Sequence, residues 1–399
     1  MRRLHRWYRR TQWWEADTPA KRWRHVRSLA KTPLRAAREA LDATRKYGSA
    51  LREERGIPLA VQAATQWMLR MRHGLPPDCY YLFELHRPER RRVAGEWCSL
   101  GECIALFVHL DRLTAGDDLP AICDKRVFVE RCGALGLPVV AILAEAAGGK
   151  VIPHAWSGTG SLPQRDLFTK PVDLWSGQGA LAWTHVGVDR WRSSDGRELD
   201  QPGLLGWLCA VSKQRPHVLQ ERVANHPDLA PLSRGGLCTV RVNTMRLPEG
   251  GYGPLLGVLK LPAGDAVVDN LAQGGLAAGI DPATGRLLGA IQKDERCAVR
   301  HFTEHPDTGA RIEGRAVPFW AELQALAARA HEAFPKLVFC GFDVALREDG
   351  PVLLEGNDCP GLELIQMPHG RPIGTTRFAE VYDFHMRRAR TGRRPTEPA

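Results

Sequence analysis

No apolar run in this 399-residue chain approaches the roughly 20 residues needed to span a bilayer as a helix. A transmembrane helix is therefore not expected. The basic start, Met1-Arg2-Arg3-Leu4-His5-Arg6, has no apolar stretch after it, so a secretory signal is not expected either, and the reading defaults to the cytoplasm. Ten cysteines run from Cys79 to Cys359, yet none forms a Cys-x-x-Cys pair and no Cys/His cluster has zinc spacing. Most sit in apolar surroundings, Cys123, Cys238 and Cys340 among them, and read as reduced core thiols. Internal repeats and long low-complexity tracts are missing too.

Charge is present but unevenly placed. The net charge is +10, and residues 1–60 alone hold sixteen Lys/Arg against six Asp/Glu, so the rest is close to neutral. Residues 1–75 read as helical, with Trp7, Trp13, Trp14 and Trp23 among Arg6, Arg9, Arg10, Arg22 and Arg24. Two readings stay open. The segment is a helical cap whose tryptophans pack on the body, or a surface that makes weak contact with an anionic membrane. Nucleic acid is not expected as a partner, because no recognisable nucleic-acid module accompanies the charge.

From about residue 119 short apolar runs alternate with Gly/Pro/Asp turns, the texture of mixed α and β structure. Strands are expected at Val139–Leu143, Leu167–Lys170, Ala180–Val186, Arg197–Leu199, Val218–Glu221, Leu237–Met245, Leu255–Leu261, Val338–Leu346 and Pro351–Leu354. Helices are expected at Leu204–Val211 and Val317–Phe334. The expected division is a basic helical region over 1–118, a small subdomain over 119–222, a C-terminal subdomain over 223–386 and a flexible basic tail over 387–399.

The stretch from Val338 to Asn357 carries the most chemistry. Two apolar strands flank Glu348-Asp349-Gly350, read as a three-residue hairpin loop with glycine in the left-handed position. That register pairs Arg347 with Pro351, Ala345 with Leu353 and Asp343 with Glu355, with Asn357 two residues on along the same face. Opposed carboxylates in apolar strands repel each other and lose hydration. A magnesium ion would compensate, since it takes oxygen ligands from one or two carboxylates and from nucleotide phosphates. A solvent-facing polar edge, or one protonated carboxyl, is the alternative.

Other charged residues interrupt apolar strands. Lys170 ends one strand ahead of the loop Ser176-Gly177-Gln178-Gly179-Ala180, a pairing suited to phosphates although it is not a P-loop. Lys125 is a second phosphate candidate or a surface charge. Gln220-Glu221-Arg222 closes another strand, either as an adenine hinge or as a plain junction. Arg241 lies in a β-branched strand and needs an anion there, whether a phosphate, an acyl phosphate or a structural carboxylate.

These pieces, in this order, resemble the ATP-grasp superfamily, and most of all its sugar-transfer-associated branch, related to α-L-glutamate ligase-like proteins. The matching pieces are Asp124-Lys125, Phe168-Thr169-Lys170-Pro171, Gln220-Glu221-Arg222, Thr239-Val240-Arg241, Asp269-Asn270 with Gly274-Gly275, Phe342-Asp343-Val344 and Leu354-Glu355-Gly356-Asn357. The resemblance implies an α+β ATP-grasp fold, two subdomains clasping ATP, behind the basic helical region. It implies that Lys125 and Lys170 contact phosphates and that Gln220, Glu221 and Val223 form the adenine hinge. Arg241 and Asn270 would serve catalysis, and Asp343, Glu355 and Asn357 would hold one or two magnesium ions. The implied activity is a ligase that activates a carboxylate as an acyl phosphate for an amine or other nucleophile. A kinase acting on a hydroxyl and a non-catalytic ATP-binding scaffold remain the alternatives.

Overall fold

The structure, a computed structural model, describes residues 4–5, 7–9, 13, 18–174, 178–264, 269 and 271–391. Asn270, Ser176, Gly177, Trp175 and the tail from 392 onward lie outside the described residues, as do Arg6, Arg10 and Trp14.

Two antiparallel seven-stranded sheets form the body. The smaller subdomain holds β1 (Ile142–Ala147), β2 (Lys150–Pro153), β3 (Leu167–Pro171), β4 (Leu181–Gly187), β5 (Arg190–Ser193), β6 (Glu198–Asp200) and β7 (His217–Glu221), in the order β2-β1-β7-β3-β4-β5-β6. Its core is Trp183, Trp191, Leu167 and Leu219 packed on Leu204 and Leu208 of the helix Gln201–Ser212. The larger sheet holds β8 (Thr239–Arg246), β9 (Tyr252–Leu261), β10 (Leu276–Ile280), β11 (Leu287–Asp294), β12 (Ala298–Phe302), β13 (Phe339–Arg347) and β14 (Gly350–Asn357), in the order β12-β11-β10-β9-β8-β13-β14. Strands β2, β5, β10, β11 and β12 escaped the sequence reading; β5 lies between the two strands expected to pair with each other, β4 and β6. Among them, β10 (Leu-Ala-Ala-Gly-Ile) is buried throughout and shows no alternation to mark it.

Alternation sets the larger sheet's two faces. Val240, Val242, Cys340, Phe342, Val344 and Leu346 enter one core with Leu323, Ala327 and Ala330 of the helix Trp320–His331. The opposite face changes character along its length. Met245 and Phe339 lie under helices at one end, while Arg241 and Asp343 face the cleft between the subdomains at the other. β13 is thus buried on both sides, which explains its nearly unbroken apolar run.

The helices before the sheets belong to this larger body. We label four: α1 (Pro19–Ala30), α2 (Thr32–Arg55), α3 (Leu59–His73) and α4 (Leu100–Thr114). Leu51, Leu69, Tyr80, Phe83 and Trp97 pack on Ala277, Ile291 and Ala298 of β10–β12. α4 begins in a capping box: the Ser99 side chain accepts from the Glu102 amide, and the Glu102 carboxylate accepts from the Ser99 amide. Its Leu106, Phe107 and Leu110 join Phe339, Phe378 and Tyr382. Two further helices, α5 (Asp118–Cys123) and α6 (Lys125–Ala134), were expected in the small subdomain. Their Ile122, Phe128 and Cys132 instead join the larger sheet's core, because they lean on β14. The approach is close: a Cβ on Gly356 would meet the Ile122 side chain at 2.5 Å, so the residue between Glu355 and Asn357 must be glycine.

Candidate functional site

A cleft of about 700 Å³ lies between the two sheets. Lys125, Lys170, Gln220, Glu221, Val223, Arg241, Asp343, Glu355 and Asn357 all line it. Nine of the ten site residues read from the sequence therefore converge, and Asn270 is the one outside the described residues.

The hairpin reaches its pairing by a different route from the expected one. Arg347 pairs with Gly350, Ala345 with Val352 and Val344 with Leu353, so the turn is two residues long. Left alone, that register would separate the carboxylates. A bulge between Asp343 and Val344 makes Leu354 an extra residue on β14, and Asp343 again faces Glu355. The bulge also frees the Leu354 carbonyl, which accepts from Lys170 Nζ at 3.5 Å across the cleft.

Arg241, Asp343 and Glu355 stand side by side on β8, β13 and β14. Arg241 forks onto Asp343, Nε to Oδ1 at 2.6 Å and Nη2 to Oδ2 at 2.8 Å. Lys260, from β9, reaches Asp343 Oδ2 at 3.2 Å and Asp269 at 3.3 Å. The Thr239 hydroxyl donates to Asp269. Burial alone would raise the Asp343 pKa, but Arg241 and Lys260 outweigh it and hold this carboxyl well below the usual range. Asp269 goes the other way: burial prevails and raises it despite Lys260. The anion that buried Arg241 requires is thus, in the first instance, Asp343. Its Nη1 has no hydrogen-bond partner among the described residues, leaving that nitrogen's N–H groups for a ligand.

Two lysines approach from the other side. Lys125 Nζ donates to the carbonyls of Val172 and Leu174, at 3.2 and 2.8 Å, and lies 3.9 Å from Glu355 Oε2. It therefore tethers the segment after β3 as well as facing Glu355. Lys170 and Phe168 project from the same side of β3 into the cleft. Burial lowers the Lys170 pKa to about 8, against the pull of Glu355. At the far end of the cleft Gln220 Nε2 donates to the Val140 carbonyl at 2.8 Å, and Glu221 pairs with Arg165 at 3.1 Å. With these side chains engaged and the Arg222 amide donating to the Asp166 carbonyl at 2.9 Å, the backbone of Glu221 and Val223 is the part of the hinge that faces a ligand.

The family profile of sugar-transfer associated ATP-grasp proteins matches residues 110–379. The chain belongs to the sugar-transfer associated ATP-grasp family. ATP-grasp members are ATP-dependent carboxylate–amine ligases. No curated protein matches the chain. Among solved structures it is similar to a D-alanine–D-alanine ligase from Bacillus anthracis, with 11% identity over 68% of each chain and a TM-score of 0.36. An L-amino acid ligase from Bacillus licheniformis gives 10% identity, 66% of this chain, 50% of that one and a TM-score of 0.35. An N5-carboxyaminoimidazole ribonucleotide synthetase in complex with ADP gives 10%, 60%, 45% and 0.34. This chain thus spans about half the length of the last two proteins.

The donor set of this ATP-grasp cleft suits magnesium. Among the described residues no cluster of three or more His, Cys, Asp or Glu could hold a metal by itself. Magnesium does not need one, since it is usually held by one or two carboxylates and substrate phosphates. Glu355 and Asn357 offer oxygens with little prior commitment, and Asp343 adds a second carboxylate already neutralised by Arg241. A Cβ on Gly341, opposite Asn357, would crowd Arg241 and Asn243, so glycine keeps this part of the row open.

The sequence reading missed Lys260, Lys293, Glu363, Asp111 and Asp358 as cleft residues. Lys260 carries a usable signal, a lysine inside Gly257-Val258-Leu259-Lys260-Leu261, the same kind that marked Arg241. Asp111 carries none, being one acid in an amphipathic helix.

Proposed function

We propose that the chain is an ATP- and magnesium-dependent ligase that activates a carboxylate as an acyl phosphate for attack by an amine or other nucleophile. The observation that supports it is the row Arg241–Asp343–Glu355, flanked by Lys260 and facing Lys125 and Lys170 across the cleft. In this reading ATP lies with its adenine against Val140, Leu354 and the Glu221–Val223 backbone. Its phosphates meet Lys125 and Lys170, and Glu355, Asn357 and Asp343 hold magnesium. Bound there, the metal supplies charge neutralisation for phosphoryl transfer. The free Nη1 of Arg241 contacts the transferring phosphoryl group or the acyl phosphate. A substrate carboxylate oxygen attacks the γ-phosphorus, the bond to the bridging oxygen breaks, and ADP leaves. The nucleophile then displaces phosphate from the acyl carbon. The sugar-transfer association of the family suggests a surface polysaccharide setting for the product.

ADP release assayed across paired panels of carboxylates and nucleophiles tests this. The ligase releases ADP and phosphate only when both partners are present. A stable phosphorylated product from a hydroxyl compound alone would establish a kinase instead. ATP binding without turnover on any pair would leave a scaffold.

A further inference from the structure

Asp111 is a largely buried carboxyl whose oxygens open onto the cleft. It is 7% exposed, lines the cleft, and has no hydrogen bond or ion pair among the described residues. The titratable groups around it are Asp358 and Cys359 from the turn after β14, Cys340 on β13, and Tyr382 on the helix Phe378–Thr391. None of them is a cation. Burial, then Asp358 and Cys359, raises its pKa to about 8. Buried polar groups are nearly always paired, and a lone carboxylate beside a second acid is costly. A site of this kind is completed by a cation.

The same helix says what kind of cation. Leu100, Ile104 and Val108 precede Asp111 at helical spacing, and all of them line the cleft. Each is left 41–48% exposed, unlike the buried Leu106, Phe107 and Leu110 on the helix's inner side. The stripe and the acid together extend about 16 Å along α4. Beyond Leu100 the cleft meets a second cavity of about 650 Å³, with Leu100, Leu271, Lys293 and Glu363 lining both. A hydrated metal ion would have no use for an apolar stripe. An organic ammonium on an apolar body matches both parts.

We propose that this face of α4 is the nucleophile subsite. An amine on an apolar body lies along Leu100, Ile104 and Val108, with its ammonium at Asp111 beside Asp358. The chemical step rests on the ligase reading above. One ammonium proton passes to the Asp111 carboxylate, which the adjoining ammonium charge holds ionised until then. The freed nitrogen lone pair forms the C–N bond, the bond from the acyl carbon to the phosphate oxygen breaks, and phosphate leaves with that electron pair. The second proton lost by nitrogen leaves on phosphate.

Calorimetric titration tests the subsite without knowledge of the carboxylate. The full chain, saturated with magnesium and a non-hydrolysable ATP analogue, is titrated with hexylamine, ethylamine and hexan-1-ol. Hexylamine should bind at least tenfold more tightly than either of the others. Asp111→Asn should erase its advantage over hexan-1-ol, and Ile104→Ser its advantage over ethylamine, with the affinity for the ATP analogue unchanged. Equal hexylamine affinity in the parent and Asp111→Asn would overturn the proposal. So would hexan-1-ol binding as well as hexylamine, or displacement of hexylamine by added magnesium alone. The analogue isotherm stands apart: failure to bind it would sink the ligase reading and leave the amine subsite judged on its own titration.

Discussion

Arg241 and Asp343 face each other on β8 and β13 and are joined by two hydrogen bonds, at 2.6 and 2.8 Å. The fork is bidentate and almost dry, with side chains 11% and 5% exposed. Lys260 shares the same carboxylate. Asp343→Asn would leave Arg241 and Lys260 with Asp269 and the more distant Glu355 to offset them, and removing one partner of a buried pair costs about 3–5 kcal/mol. Glu355 is less committed, having among the described residues a single lysine contact at 3.9 Å. Glu355→Gln should therefore change stability by less than about 1 kcal/mol while abolishing ADP release. Chemical denaturation of both variants checks this. Equal losses of stability would mean that Glu355 is a structural partner too.

Lys170 should contribute to nucleotide affinity. Among the described residues its only acceptor is the Leu354 carbonyl, at a long 3.5 Å. Phosphate oxygens would give it charge-assisted bonds, so Lys170→Ala should weaken binding of an ATP analogue by roughly 1.5–3 kcal/mol. Calorimetry measures this directly, and an unchanged dissociation constant would move the phosphates elsewhere in the cleft.

What the sequence made legible follows from what each residue must do locally. Asp343, Glu355 and Arg241 stood out because charge inside a β-branched or apolar run demands a partner, and in the structure they adjoin. Their partners were another matter. That Arg241 pairs with Asp343 depends on β8 lying next to β13, and 102 positions separate the two residues. The hairpin pairing was reached through the wrong turn, since nothing in Val352-Leu353-Leu354-Glu355 marks Leu354 as a bulge. Helices α5 and α6 have apolar residues that suit either subdomain, and only Gly356 hints at the side they cover.

Asp111 should make stability depend on pH in an unusual direction. Its pKa is about 8 in the folded chain, against about 4 for an ordinary aspartate. The folded state therefore keeps a proton that the unfolded state has already lost. The contribution is fully present below about pH 4 and is lost as pH rises toward 8, by an amount on the order of a few kcal/mol. Asp111→Asn keeps the neutral shape at every pH. Its melting temperature should exceed the parent's by a margin that widens from pH 5 to pH 8. A margin independent of pH would show that Asp111 is ionised in the fold throughout this range.

The basic N-terminal region separates into docked and exposed tryptophans. The Trp7 indole donates to Asp383 at 2.8 Å, and Trp7 and Leu4 are buried in the cluster that holds Phe107, Phe339 and Phe378. Trp23 on α1 is 65% exposed. A tryptophan packed this way is a core residue, so Trp7→Ala should cost about 3–5 kcal/mol. Trp23→Ala should cost less than about 0.5 kcal/mol, as expected of an exposed site. Contact with an anionic membrane is a separate proposal that the same variants can test. If α1 meets acidic lipid, Trp23→Ala should weaken sedimentation with acidic liposomes without moving the melting temperature, and salt should release the parent chain as its charges are screened. We expect Trp7→Ala to melt early and liposome binding to be weak. Strong, salt-sensitive sedimentation that Trp23→Ala abolishes would make α1 a membrane-facing element, while a normal melting temperature for Trp7→Ala would show that the N-terminal segment is not part of the core.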